Sequence, residues 1–187
     1  MGDGTITPPV SMFLDELKVL KAEQTARIGF RDNLLYVTVA AVGGIGAFAL
    51  RNQNAAAALL LTPWVTTILG WTYLVNDEKI SAIGTYLRDQ LRTRLNTYTC
   101  VPADQILGWE GAHRADNLRM SRKVIQLVVD LIAFVGSGLA SIDAYVVRSA
   151  PLTASLAAVV AIEALLMLAL AWQIILYADL GRPAKSE

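Results

Sequence analysis

The sequence predicts an all-α, polytopic membrane protein with four transmembrane helices, cytoplasmic helical extensions and both termini in the cytoplasm. Three observations lead there. Hydrophobic residues make up 55% of the 187 and charged residues only 17%, against roughly 25% charged in an ordinary soluble domain. The apolar excess falls in four runs, residues 33–50, 52–76, 124–147 and 151–178, which together hold half the chain. The lysines and arginines between and around these runs divide 14 to 2 across the membrane, with Arg51 and Arg148 alone on the minority side.

Each run can be justified as a span. A bilayer core of roughly 30 Å takes about 20 helical residues, and backbone polar groups in lipid must be satisfied within the segment. Run 52–76 contains no charged residue and spans unaided. Run 33–50 covers about 27 Å at the α-helical rise, so Asp32 and Arg51 must lie close to the two interfaces. The third run carries Asp130 and Asp143 and the fourth carries Glu163; they form a hairpin closed by Arg148, Ser149 and Ala150. The charge division puts both termini and the central loop on the cytoplasmic side. Tyr36, Trp71, Tyr73, Trp172 and Tyr177 fall near the cytoplasmic helix ends, where amphipathic rings favour the interface.

The expected organisation is a cytoplasmic amphipathic helix (1–32), a first transmembrane hairpin (33–76), a cytoplasmic helical loop (77–123), a second hairpin (124–178) and a tail (179–187). In 11–31, Phe13, Leu14, Leu17, Leu20 and Ile28 recur at helical spacing behind Pro8 and Pro9. Ile80, Ile83, Leu87, Leu91 and Leu95 repeat at three and four residues, and no proline interrupts 71–95, so the second span should run on as one rod. Residues 96–112, with Pro102, Gly108 and Gly111, read as irregular; 113–123 read as a short helix leading into the third span. Pro63 should kink the second span or end a local hydrogen-bond register. A mixed-charge segment precedes the first apolar run, so no cleaved signal is expected.

Composition also limits the chemistry. Sixteen basic residues balance sixteen acidic ones, which predicts no attraction to nucleic acid. One cysteine, Cys100, and one histidine, His113, allow neither a disulfide nor a His/Cys metal cluster within a chain. Ser137, between Gly136 and Gly138, has no histidine in the apolar runs to act as its base. The expectation is a protein without catalytic residues, bound metal or cofactor.

The candidate functional residues are therefore those the membrane makes costly. Ionisable groups inside a bilayer cost roughly 2.5–3.5 kcal/mol each on insertion scales. Glu163 stands close to the midplane, with Asp130 nearer the cytoplasm and Asp143 nearer the outside. They make a candidate cation or proton path, or a ring of Glu163 side chains about an oligomer axis; alternatively a protonated Glu163 hydrogen-bonds Thr62, Thr66, Thr67 or Ser137 across a helix interface. Gly43, Gly44 and Ala47 in the first span, and Ser137 and Ser141 in the third, have the small-residue spacing that allows helices to approach in lipid. Arg88, Arg92, Arg119, Arg122 and Lys123 can hold anionic lipid headgroups or a phosphorylated ligand, or simply satisfy the topology rule.

Residues Trp71 to Ser81 (WTYLVNDEKIS), followed by Ile83, Gly84, Tyr86, Leu87 and Arg88, resemble small uncharacterised four-helix integral membrane proteins of actinobacterial type. Ala26, Arg27, Ile28, Gly29, Arg31, Asp32 and Asn33, with Gly108, Trp109 and Glu110, extend the resemblance over much of the chain. The plan of cytoplasmic helix, two-span hairpin and emerging helix is also similar in architecture to the SLATT-like membrane effectors of bacterial conflict systems, which typically have two spans. This implies a bacterial inner-membrane location and an oligomeric channel or pore-type effector, with antiviral defence as its setting. The other expectation is a non-conducting anchor or scaffold that recruits a soluble cytoplasmic partner. Membrane lipids and further copies of the chain are the partners expected in either case.

Overall fold

The computed structural model describes residues 10–99, 106, 119–149, 151 and 153–178, and all of its regular structure is helical. Helix α1 (Val10–Arg51) is followed by a 3₁₀ helix (Gln53–Leu60), α2 (Leu61–Tyr86), a π-helical turn (Leu87–Leu91) and α3 (Arg92–Thr99). Then come α4 (Arg119–Asp130), a second π-helical turn (Leu131–Gly136), α5 (Ser137–Arg148) and α6 (Ala154–Tyr177). Four helical stretches, Val10–Arg51, Ala55–Thr99, Met120–Arg148 and Ala154–Tyr177, are long and apolar enough to cross a membrane.

The boundaries differ from the sequence expectation in four places. The amphipathic segment and the first span are a single helix, because no proline or terminating turn separates them at Asp32; the 42 residues of α1 extend about 63 Å at the standard rise. Helix α1 stops at Asn52, whose backbone is extended (φ −118°, ψ 104°) and whose side-chain amide donates to the Phe48 carbonyl at 3.2 Å. The second span opens as a 3₁₀ helix, and Pro63 stands just past the change from 3₁₀ to α-helix, as the third residue of α2. Residues 96–99 are helical, and 119–123 begin the helix of the third span. Pro8, Pro9, Cys100, Pro102, Gly108, Trp109, Glu110, Gly111, His113, Arg114 and the tail 179–187 lie outside the described residues.

The chain divides into two compact units, one drawn from residues 1–29 and 77–117 and the other from 30–76 and 118–187. In the first, Phe13, Leu87, Leu91 and Leu95 form a buried core, flanked by Leu17, Leu20, Ile83, Tyr86 and Ile106. The rings of Phe13 and Tyr98 stack at 5.2 Å. Polar contacts pin the same pairing: the Gln24 amide donates to the Ile80 carbonyl at 3.2 Å, and the Tyr86 hydroxyl donates to Glu16 at 2.5 Å. That bond, with burial adding to it, pushes the Tyr86 phenol above its ordinary value.

In the second unit the core is Leu34, Tyr73, Leu74, Phe134, Val135, Ile142, Met167, Leu170 and Ile174, and a smaller cluster gathers Ala49, Leu59 and Tyr145. Close approach here depends on two glycines. A Cβ at Gly70 would lie 3.0 Å from Leu170 Cδ2 and 3.1 Å from Phe134 Cβ, and one at Gly138 would collide with Met167 Sδ. The outward faces carry exposed Val39, Ile68, Ile132, Leu165 and Leu168, an apolar surface that suits lipid and that a water-soluble bundle would cover.

Candidate functional site

The inward face of α6 is set by Glu163, Met167, Leu170 and Ile174, spaced four, three and four residues apart and therefore on one stripe. The facing stripe of α2 carries Thr62, Pro63, Thr66, Gly70 and Tyr73. Glu163 is 0% exposed. One carboxyl oxygen, Oε1, accepts a hydrogen bond from Trp64 Nε1 at 2.9 Å. The indole is itself 45% exposed, so it is the outward-facing partner of a fully covered carboxyl group. Glu163 Oε2 and Thr62 Oγ1 are buried without a hydrogen-bond partner.

Of the four hydroxyls expected to serve Glu163, three are engaged with their own helices and Thr62 is not hydrogen-bonded. Thr66 Oγ1 and Thr67 Oγ1 donate to the Pro63 carbonyl at 3.3 and 2.6 Å, and Ser137 Oγ donates to the Ala133 carbonyl at 2.5 Å. Thr66 Oγ1 also lies 3.8 Å from Met167 Sδ. Trp64 is the partner that sequence reasoning missed, because a tryptophan in an apolar run gives no sign that its N–H has an acceptor on another helix.

A second polar group forms around Tyr73. The Gln126 amide donates to both Tyr73 Oη and Asp130 Oδ1, each at 2.8 Å. The Tyr73 ring tilts against Phe134 at 5.1 Å, and the Arg31 guanidinium lies 5.9 Å from its centre. Asp130 is buried and accepts from Gln126, whereas Glu163 accepts from Trp64 through Oε1 and leaves Oε2 unpaired. Gln126 also went unnoticed, although its position four residues before Asp130 is a spacing at which helical side chains meet.

The three membrane carboxyl groups thus occupy three separate environments: Glu163 sealed, Asp130 buried in the Tyr73 group, and Asp143 exposed. Gly43, Gly44 and Ala47 are exposed, and among the described residues nothing beyond the helix's own turn lies within 4 Å of a Cβ built on either glycine. Ser137 and Ser141 are half-buried. Among the described residues, close packing uses Gly70 and Gly138 instead; Gly70 is the one glycine of its run, and Gly138 follows Gly136 at a spacing of two, outside the three-and-four pattern. Arg88 is paired with Asp89 at 2.6 Å and Arg92 is half-buried, both in the first unit; Arg122 is exposed and Lys123 half-buried in the second. The Arg119 side chain lies outside the described residues. Among the described residues no group of three or more His, Cys, Asp or Glu is placed to hold a metal ion. No protein family, curated protein or solved structure matches the chain.

Proposed function

We propose that the protein is a multi-pass anchor or scaffold of a bacterial inner membrane, with both termini and the first helical unit in the cytoplasm, where that unit receives a soluble partner. The observation that carries this reading is the sealed Glu163. A carboxyl group that conducts cations must meet water at some stage of the cycle, whereas this one is fully covered and tied to Trp64. The separation of Asp130 and Asp143 from it supports the same reading. The four apolar helices provide the anchor and the 14 to 2 charge division its orientation.

One observation favours a second reading, an oligomeric channel or pore-type effector. The face of Gly43, Gly44 and Ala47 is exposed among the described residues, and a small-residue face in lipid allows another helix to approach. A conducting path in such an assembly would run between copies. Ion flux across vesicles reconstituted with wild type, Glu163→Gln and Glu163→Leu separates the readings. The scaffold reading expects no flux from any of the three under any applied voltage. Flux from wild type that falls or changes selectivity in Glu163→Gln gives the pore reading with Glu163 in its path. Equal flux from all three gives a pore between copies, away from Glu163.

A further inference from the structure

The charge division leaves two basic residues, Arg51 and Arg148, for the outer side of the membrane. They are far apart in the chain, and the fold brings them to one place. Ala49, Leu59 and Tyr145 pack together, which sets the last turn of α5 against the last turn of α1, and Arg148 Nη1 donates to the Ala49 carbonyl at 3.4 Å. Arg51 is the final residue of α1. Both arginines are exposed. Among the described residues Arg51 has no hydrogen bond and neither arginine has an ion pair. Asp143, exposed more than a turn before Arg148, pairs with neither. At this end of α1 lies an open hollow of about 500 Å³ lined by Ala47, Phe48, Arg51 and Asn52. Ala47 and the exposed Phe48 belong to the apolar run 33–50, and Arg51 and Asn52 follow it, so the hollow changes from apolar to polar within about one helical turn. The Asn52 amide is spent on the Phe48 carbonyl, which leaves Arg51 as the charged donor of the hollow.

We infer that this end of α1 binds an anionic phospholipid of the outer leaflet, with its phosphodiester against Arg51 and Arg148 and the start of an acyl chain along Ala47 and Phe48. Charge, depth and shape choose the occupant. Two guanidinium groups with no carboxylate partner complement a phosphodiester, whose oxygens fit their forked donors. Arg51 is the first residue past an apolar run long enough to reach the interface, so its guanidinium stands at the level of the headgroups. An acyl chain continues along the apolar end of the hollow, where a free anion has nothing to meet. A headgroup with its own ammonium would set that charge beside the arginines, so a headgroup of net negative charge is preferred. An arginine in the last turn of a helix can also serve the helix's own carbonyl dipoles. That role accounts for Arg148 on Ala49 and not for the amphipathic hollow beside Arg51. The inference rests on the membrane reading above for the level and the leaflet at which this end of α1 meets the bilayer.

Lipid titration of the full chain in a neutral detergent tests it, with bound lipid counted by native mass spectrometry. The probes are phosphatidylglycerol, phosphatidylethanolamine with the same acyl chains, and inorganic phosphate. Wild type should bind phosphatidylglycerol about fivefold more tightly than phosphatidylethanolamine, and Arg51→Gln and Arg148→Gln should each weaken the phosphatidylglycerol complex about fivefold, the scale of one basic residue at an anionic headgroup layer. Arg94→Gln, at an exposed arginine of the first unit, should change nothing. Arg51→Lys combined with Arg148→Lys keeps both charges, so it should retain the preference for phosphatidylglycerol with part of the affinity lost; this pair keeps the test open if a glutamine variant fails to fold. Inorganic phosphate in large excess should leave the lipid bound. Equal binding of the two lipids, a loss at Arg51→Gln no greater than at Arg94→Gln, or displacement of the lipid by inorganic phosphate overturns the proposal. If topology reporters still give four spans in that event, only the lipid site has failed and the membrane reading stands. A cytoplasmic reporter signal at Ser149 with lipid binding intact would instead overturn the orientation and move the site to the other leaflet.

Discussion

At the residue scale, the Glu163–Trp64 pair concentrates the cost of this fold. A buried acceptor that loses its donor, or a donor that loses its acceptor, costs about 1–3 kcal/mol. Glu163→Gln retains a carbonyl oxygen for the Trp64 N–H and should unfold in detergent within about 1 kcal/mol of wild type. Glu163→Leu leaves the indole unpaired and should be destabilised by about 1–3 kcal/mol, as should Trp64→Phe, while the double variant recovers part of the loss. A double variant whose loss equals the sum of the two singles would show that the pair is not coupled. Tyr86 tests the first unit in the same way. Tyr86→Phe should cost about 1 kcal/mol through the lost bond to Glu16. Because the folded protein holds the phenolic proton more tightly than the unfolded chain, this contribution is fully present below pH of about 10 and disappears as the pH rises through the higher folded value. Wild type and Tyr86→Phe should therefore converge in stability only in strong alkali, as chemical unfolding across pH will report.

At the scale of elements, glycine has opposite meanings in two helices. In α5, a side chain at Gly138 meets Met167 Sδ and lies 3.2 Å from Thr66 Oγ1, and overpacking a filled interior costs about 1–3 kcal/mol. In α1, a side chain at Gly44 enters open space, and replacing a helical glycine by alanine gains up to about 1 kcal/mol. Gly138→Ala should thus lower unfolding stability in detergent and Gly44→Ala should leave it equal or raise it. Gly44→Leu should leave the monomer folded and act only on association between copies, read as a shift in oligomer mass. Equal stability losses at the two positions would place Gly44 in an intramolecular contact that the fold does not contain. The Pro63 carbonyl, for its part, accepts from the Thr66 and Thr67 hydroxyls.

At the scale of the whole molecule, the prediction concerns topology. The positive-inside rule places Arg51 and Arg148 outside and the remaining basic residues inside. Reporter fusions at Gln53 and Ser149 should read as external, and fusions at Thr97 and Glu187 as cytoplasmic. A cytoplasmic signal at Gln53 would invert the arrangement and remove the first unit from the compartment of its supposed partner. The apolar outer faces of α2 and α6 carry the complementary expectation that extraction requires detergent, because so large an exposed apolar surface aggregates in water.

The sequence by itself determined that the chain is helical and that four of its segments can cross a bilayer, since hydropathy and segment length are additive along the chain and need no partner. It also showed that Phe13 and Leu17 form one stripe and Leu87, Leu91 and Leu95 another, because helical periodicity is local. The merging of 10–51 into one helix was partly legible in the absence of proline. Only the tertiary structure decided that Trp64 serves Glu163, that Gln126 joins Tyr73 to Asp130, and that Gly70 and Gly138 rather than Gly43 and Gly44 carry the close contacts within the chain. Hydrogen-bond partners and close approach depend on the rotation and depth of one helix against another. The 3.6-residue period, which marks a face, is silent about which other face it meets.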